Sequence, residues 1–77
     1  MKKVEVLGTG CPKCKKLYEM AIRVVGQNGL EAEVVKVEDI QEIVAKGVMM
    51  TPGLVVDGEV KSAGKLPSEA ELLALIG

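Results

Sequence analysis

Seventy-seven residues are expected to form a single domain, residues 1–77, and a chain this short buries only about 60 to 65% of the surface it exposes when unfolded, so its core is thin. A formal net charge of −1 leaves no basic footprint for nucleic acid, and with Tyr18 as the only aromatic residue there is nothing on which bases could stack. Two cysteines and no histidine cannot supply the four ligands of a structural zinc site from one chain.

Val, Ile, Leu, Met and Ala must therefore fill the core. Met1-Lys2-Lys3 could open a signal peptide, but Glu5 follows, and Gly8 to Lys16 carries glycines and lysines where an apolar run would have to lie. No uncharged apolar stretch approaches the roughly 18 residues that a membrane span needs. The expectation is a cytoplasmic protein with neither membrane nor nucleic acid as a partner. In a reducing compartment, paired cysteines are more often catalytic or metal-binding than structural.

In chain order, Lys2 to Leu7 alternates and is valine-rich, which suits a strand, and Gly8-Thr9-Gly10 breaks it. From Pro12 to Gln27, Leu17, Ala21, Val24 and Val25 recur three or four apart and share a helix face with Cys14 and Tyr18. Pro12 fits the first helical position, where a missing N–H costs nothing, and Asn28-Gly29 closes the helix. Leu30 to Val37 reads as a second strand.

Asp39 with Glu42 has capping-box spacing, and Ile40, Ile43 and Val44 give the next short helix its apolar face before Gly47 ends it. Leu54-Val55-Val56 and Glu59-Val60-Lys61 flank Asp57-Gly58, the signature of a two-residue hairpin. Ser62 to Leu66 reads as a loop, and Ser68 with Glu71 caps a final helix through Ile76. The order is βαβαββα. Two βαβ crossovers would place the first three strands in one sheet, with the hairpin adding an antiparallel strand.

Chemistry converges on Cys11-Pro12-Lys13-Cys14, the only two cysteines, set where the first strand meets the first helix. Two thiols at this spacing can close a disulfide with little backbone movement, or can hold a soft metal between two thiolates. The unpaired N–H groups and dipole of a helix N-terminus stabilise a thiolate, so Cys11 is expected to be the more acidic and Cys14, on the apolar face, the more buried. Lys13, Lys15 and Lys16 crowd the first turn. Glu5 is the only carboxylate on the first strand, where an exposed position is the commoner reading and a buried proton-relay carboxylate the rarer one. Met49 and Met50 read as gap-filling core or flexible contact surface.

A Cys-x-x-Cys at this strand-to-helix junction, with Thr51-Pro52 just before the third strand, resembles the thioredoxin fold. The pattern Gly-Thr-Gly-Cys-x-x-Cys, followed by Pro-Gly, an apolar strand and Asp-Gly, is similar to the small, glutaredoxin-sized thioredoxin-like redox-active disulfide proteins of archaea and bacteria. That resemblance implies an α/β thioredoxin-like fold, a mixed four-stranded sheet flanked by three helices. It implies a thiol-disulfide oxidoreductase, an electron carrier whose redox group is the Cys11–Cys14 disulfide, with no other cofactor and no metal.

By the same resemblance Cys11 attacks, Cys14 resolves, and Pro52 is a cis-proline packed against the disulfide, with Thr51 offering its backbone to a substrate strand. Gly10, Pro12, Lys13 and Gly64 complete the substrate-binding surface. The implied partners are disulfide-containing proteins and a thioredoxin-reductase-like or other thiol reductant, with the chain itself a monomer. The alternative is a metal-binding Cys-x-x-Cys module, a copper or zinc carrier. Copper carriers with this motif run βαββαβ, whereas this chain inserts a helix after its second strand and ends in a helix.

Overall fold

The computed structural model describes residues 2–10 and 12–77. Their elements run β1 (Lys2–Leu7), α1 (Pro12–Gln27), β2 (Ala32–Val37), α2 (Ile40–Ala45), β3 (Gly53–Val56), β4 (Glu59–Ala63) and α3 (Glu69–Ile76). The order is the βαβαββα read from the sequence, and the four strands form one mixed sheet in the order β2-β1-β3-β4.

Strand direction corrects one expectation. β1 and β2 are parallel, as a βαβ crossover requires, with Leu7 opposite Val37. β3 runs antiparallel to β1, with Glu5 opposite Val55, and β4 antiparallel to β3. The second crossover therefore does not produce a parallel pair: α2 is only six residues long, too short to return the chain to the starting edge as the sixteen-residue α1 does. The Asp57-Gly58 hairpin is present, with φ of 51° and 81°, the left-handed pair that a tight two-residue turn demands. β4 extends through Ser62 and Ala63, two residues beyond the expected boundary, because the ladder to Leu54 and Gly53 continues past a register shift between Leu54 and Val55.

Alternation along β1 divides the core between two faces. Val4 and Val6 point toward α1 and α3 and join Leu17, Met20, Ala21, Val24, Leu54, Val56, Leu72 and Ile76. Leu7 points the other way, toward α2, and joins Val37, Ile43, Val48 and Val55. The second cluster is the smaller. Only Ile43 of α2 is buried, while Ile40 and Val44 are 64% and 57% exposed, so the three-residue apolar face expected for α2 shrinks to one side chain. Met49 and Met50 are also exposed, which places them as contact surface rather than core.

Helix ends follow local chemistry. Ser68 and Glu71 form a complete capping box at α3. At α2 the Asp39 carboxylate accepts from the Gln41 N–H at 2.8 Å, one residue earlier than the box spacing places the bond.

Glu5 departs most from its expected place. It is 5% exposed, in one of the two inner strands on the α2 face, and its carboxylate meets the Lys46 ammonium at 3.1 Å just past the end of α2. Breaking a buried pair by removing one partner costs about 3 to 5 kcal/mol, but the Lys46 side chain is 34% exposed, so water shares the load. Lys46→Met is therefore expected to destabilise the protein by about 1 to 2 kcal/mol, read from the urea midpoint at unchanged slope. A loss of only a few tenths would mean that Glu5 is solvated without its lysine.

Candidate active site

The end of β1, the start of α1 and the loop before β3 meet at one end of the sheet. Gly8 continues β1, its N–H donating to the Val37 carbonyl at 2.9 Å. The chain then turns through Gly10, whose φ of 85° lies in the left-handed region open to glycine, and α1 starts at Pro12. Cys11 lies outside the described residues. Cys14 falls on the first turn of α1, on the helix face that carries Leu17 and Ala21, and is 5% exposed. It is not a free thiol.

Gly8 decides where Cys14 can sit. A β carbon built on Gly8 would overlap the Cys14 Sγ, lie 2.7 Å from the Cys14 Cβ and come within 3.9 Å of the Thr51 Cβ. Real Cβ contacts essentially never approach below 3.0 Å, so the helix packs this closely only because position 8 has no side chain. Beyond its place in the Gly-Thr-Gly-Cys-x-x-Cys pattern, the Gly8-Thr9-Gly10 stretch reads from sequence as a strand break. Its functional signal, a glycine opposite the second cysteine, is invisible until α1 is docked on β1.

The Thr51–Pro52 peptide bond is cis, as the resemblance implies. Pro52 is fully buried, and Thr51 is exposed beside it. The Gly64 N–H donates to the Pro52 carbonyl at 2.9 Å, which ties the end of β4 to this loop. Gly64 has a φ of 73°, and the side chain of Met50 lies over it, 3.0 Å from where a β carbon would stand. Gly8, Cys14 and Thr51 are thus neighbours, and Gly64 is joined to them through Pro52.

Pro12 and Lys13 are exposed on the first turn of α1, which carries no acidic residue. Glu5 is not brought to Cys14, since it points to the α2 face and Cys14 packs on the α1 side of the sheet. A small cavity of about 30 Å³ does adjoin Cys14, bounded by Val6, Gly8 and Gly10 on one side and by Lys15, Lys36 and Glu38 on the other. Lys36 and Glu38 enter it because the parallel register sets the end of β2 beside the end of β1. Nothing in the sequence around them signals that place. Among the described residues, no group of three or more His, Cys, Asp or Glu is placed to hold a metal ion, and no helix is long and apolar enough to cross a membrane.

A closely packed sulfur at a helix start, an adjoining exposed loop and a neighbouring buried proline suit exchange with a sulfur presented from outside. Comparison with known proteins agrees. A family model described as a thioredoxin domain matches residues 2–77. A thioredoxin of Methanocaldococcus jannaschii is 44% identical over 69 residues, covering 90% of this chain and 79% of its own. A thioredoxin of Methanothermobacter thermautotrophicus is 36% identical over 76 residues, covering 99% of both chains.

Proposed function

The chain belongs to the thioredoxin-domain family and is a thiol-disulfide oxidoreductase, and from that premise we propose that it reduces protein disulfides by dithiol exchange through Cys11 and Cys14. The observation that carries this reading is the seat of Cys14: a sulfur pressed against Gly8 on the first turn of α1, three residues from the only other cysteine.

In this mechanism the Cys11 thiolate attacks one sulfur of the substrate disulfide, and the other substrate sulfur leaves with the electron pair. Cys11 immediately precedes Pro12, the first residue of α1, where the helix N-terminus favours negative charge. Cys14 then attacks the Cys11 sulfur of the mixed disulfide and the second substrate thiolate departs. Two electrons have moved to the substrate, and the protein holds the Cys11–Cys14 disulfide as its redox group. A thioredoxin-reductase-like or other thiol reductant returns it to the dithiol.

Gly10, Pro12, Lys13, Thr51 and Gly64 form the surface that a substrate segment meets. Thr51 is exposed next to buried Pro52, so its backbone is available to an extended strand from the partner. The protein acts as a monomer in the cytoplasm, where the glutathione and thioredoxin pools keep thiols reduced.

The test separates the two thiols. Cys14→Ser is expected to accumulate a covalent mixed disulfide with a disulfide-bearing protein, seen as a thiol-reversible mass shift, and Cys11→Ser is expected to accumulate none. Equal trapping by both variants would contradict the assignment of attacking and resolving roles.

A further inference from the structure

The loop before β3 carries two methionines that the exchange as written does not use. Met49 is 84% and Met50 65% exposed, whereas Met20 is buried in the core with Leu17 and Val24. A thioether is oxidised by peroxide to the sulfoxide where the oxidant can reach it. Met49 and Met50 are open to that reaction and Met20 is sheltered from it.

The two exposed sulfurs differ in what lies beneath them. The atoms nearest to the point where a β carbon of Gly64 would stand all belong to Met50: its Cβ at 3.0 Å, its Cε at 3.3 Å and its Sδ at 3.5 Å. Met50 is thus folded over the bare backbone of Gly64, whose N–H donates to the Pro52 carbonyl, and it directly precedes exposed Thr51. Met49 supplies none of those atoms. A substrate segment that lies along Thr51 and Gly64 therefore meets the Met50 thioether, an apolar group that adapts its shape to what covers it.

We propose that Met50 is a peroxide-sensitive contact, and that its conversion to the sulfoxide weakens the reduction of protein disulfides while leaving the exchange chemistry intact. The proposal rests on the dithiol reading above. A lone pair of the Met50 Sδ attacks one oxygen of hydrogen peroxide, so that the S–O bond forms and the O–O bond breaks. The other oxygen leaves with the electron pair as hydroxide and becomes water with the proton shed by the sulfur-bound oxygen. The thioether has given two electrons to the peroxide, and neither cysteine is consumed. The sulfoxide oxygen is a polar acceptor on a formerly apolar contact. A substrate segment that covers it strips its water and offers it no donor, and an unpaired buried acceptor costs binding.

To test this, the full-length protein is held in its disulfide form, which shields the thiols, and treated with hydrogen peroxide while peptide mass mapping follows oxygen uptake at Met49 and Met50. Dithiothreitol then restores the dithiol and leaves sulfoxides in place. Rates are read against insulin, a protein disulfide, and against hydroxyethyl disulfide, which is too small to reach Met50 from the cysteines, each sample being compared with its own untreated control. Oxidised wild type is expected to reduce subsaturating insulin about tenfold more slowly and hydroxyethyl disulfide at an unchanged rate. Met49→Leu is expected to show the same loss, and Met50→Leu none, because leucine has no sulfur to oxidise. Met50→Gln, a polar stand-in for the sulfoxide, is expected to lower the insulin rate relative to the hydroxyethyl disulfide rate without peroxide. A Met50 that takes up no oxygen, an insulin rate unaltered by its oxidation, a loss that persists in Met50→Leu, or a loss shared by both substrates overturns the proposal. An untreated wild type that reduces neither disulfide overturns the dithiol reading and this proposal together.

Discussion

Gly8→Ala is expected to slow disulfide reduction by about 10²-fold, the cost of displacing a reacting group by around an ångström. It should also lower stability by about 1 to 3 kcal/mol, as overpacking a closed interior does. The added methyl would overlap the Cys14 Sγ and sit 2.7 Å from its Cβ. Neither atom is the loose end of a long side chain, so relief requires the first turn of α1 to move off β1. Cys14 is then displaced from the sulfur it must attack. Gly29→Ala is the control, because nothing lies within 4 Å of a β carbon there and it follows the end of α1 remote from Cys14. Its left-handed backbone costs about 1 to 2 kcal/mol with a side chain, but the cost falls on the loop rather than on Cys14. Turnover by Gly8→Ala close to wild type would show that Cys14 has slack, and that the close packing is incidental.

Leu17→Ala carries the largest expected loss of stability. Leu17 is fully buried between α1, the sheet and α3, and removing such a side chain costs about 2 to 5 kcal/mol in lost transfer energy and residual cavity. A domain of this size has a total of roughly 5 to 10 kcal/mol, so the variant should be near its limit. The cost is functional as well, because Leu17 holds the helix one turn beyond Cys14 against the strand that carries Gly8. The measurement is the urea midpoint with its slope. A loss under about 1 kcal/mol would mean that the core around α1 refills the space, which close-packed interiors do poorly.

The elements were legible because each carries its own local signal. Valine alternation marks β1, Pro12 and Asn28-Gly29 bracket α1, and Asp57-Gly58 turns the hairpin. What stayed hidden needed the third dimension. Whether β3 runs with or against β1 depends on how far α2 carries the chain, and no residue in α2 encodes that. Glu5 occupies a place in β1 that reads as exposed, and only the docking of α2, which brings Lys46 over it, makes a buried carboxylate tolerable there. Ile40 and Val44 read as a helix face directed at the core, but a two-turn helix lying on the end of a narrow sheet buries one column of side chains.

The site divides in the same way. The cysteine spacing and Thr51-Pro52 are contiguous in sequence and were visible at once. Gly8 became significant only when α1 was laid on β1, and Met50 only when the loop before β3 placed it over Gly64. Both sit in segments whose residue types are ordinary, so their meaning comes from which neighbour faces them.

The central claim is that Cys11 and Cys14 act as one two-electron couple. It is tested most directly by equilibrating the protein in thiol buffers of stepped potential, quenching with an alkylating agent and weighing the products. The account predicts that both thiols disappear together in a single reversible transition, with the oxidised form monomeric and lighter by two hydrogens. Thiols that remain fully alkylated in strongly oxidising buffer, or that vanish only by joining two chains, would contradict it.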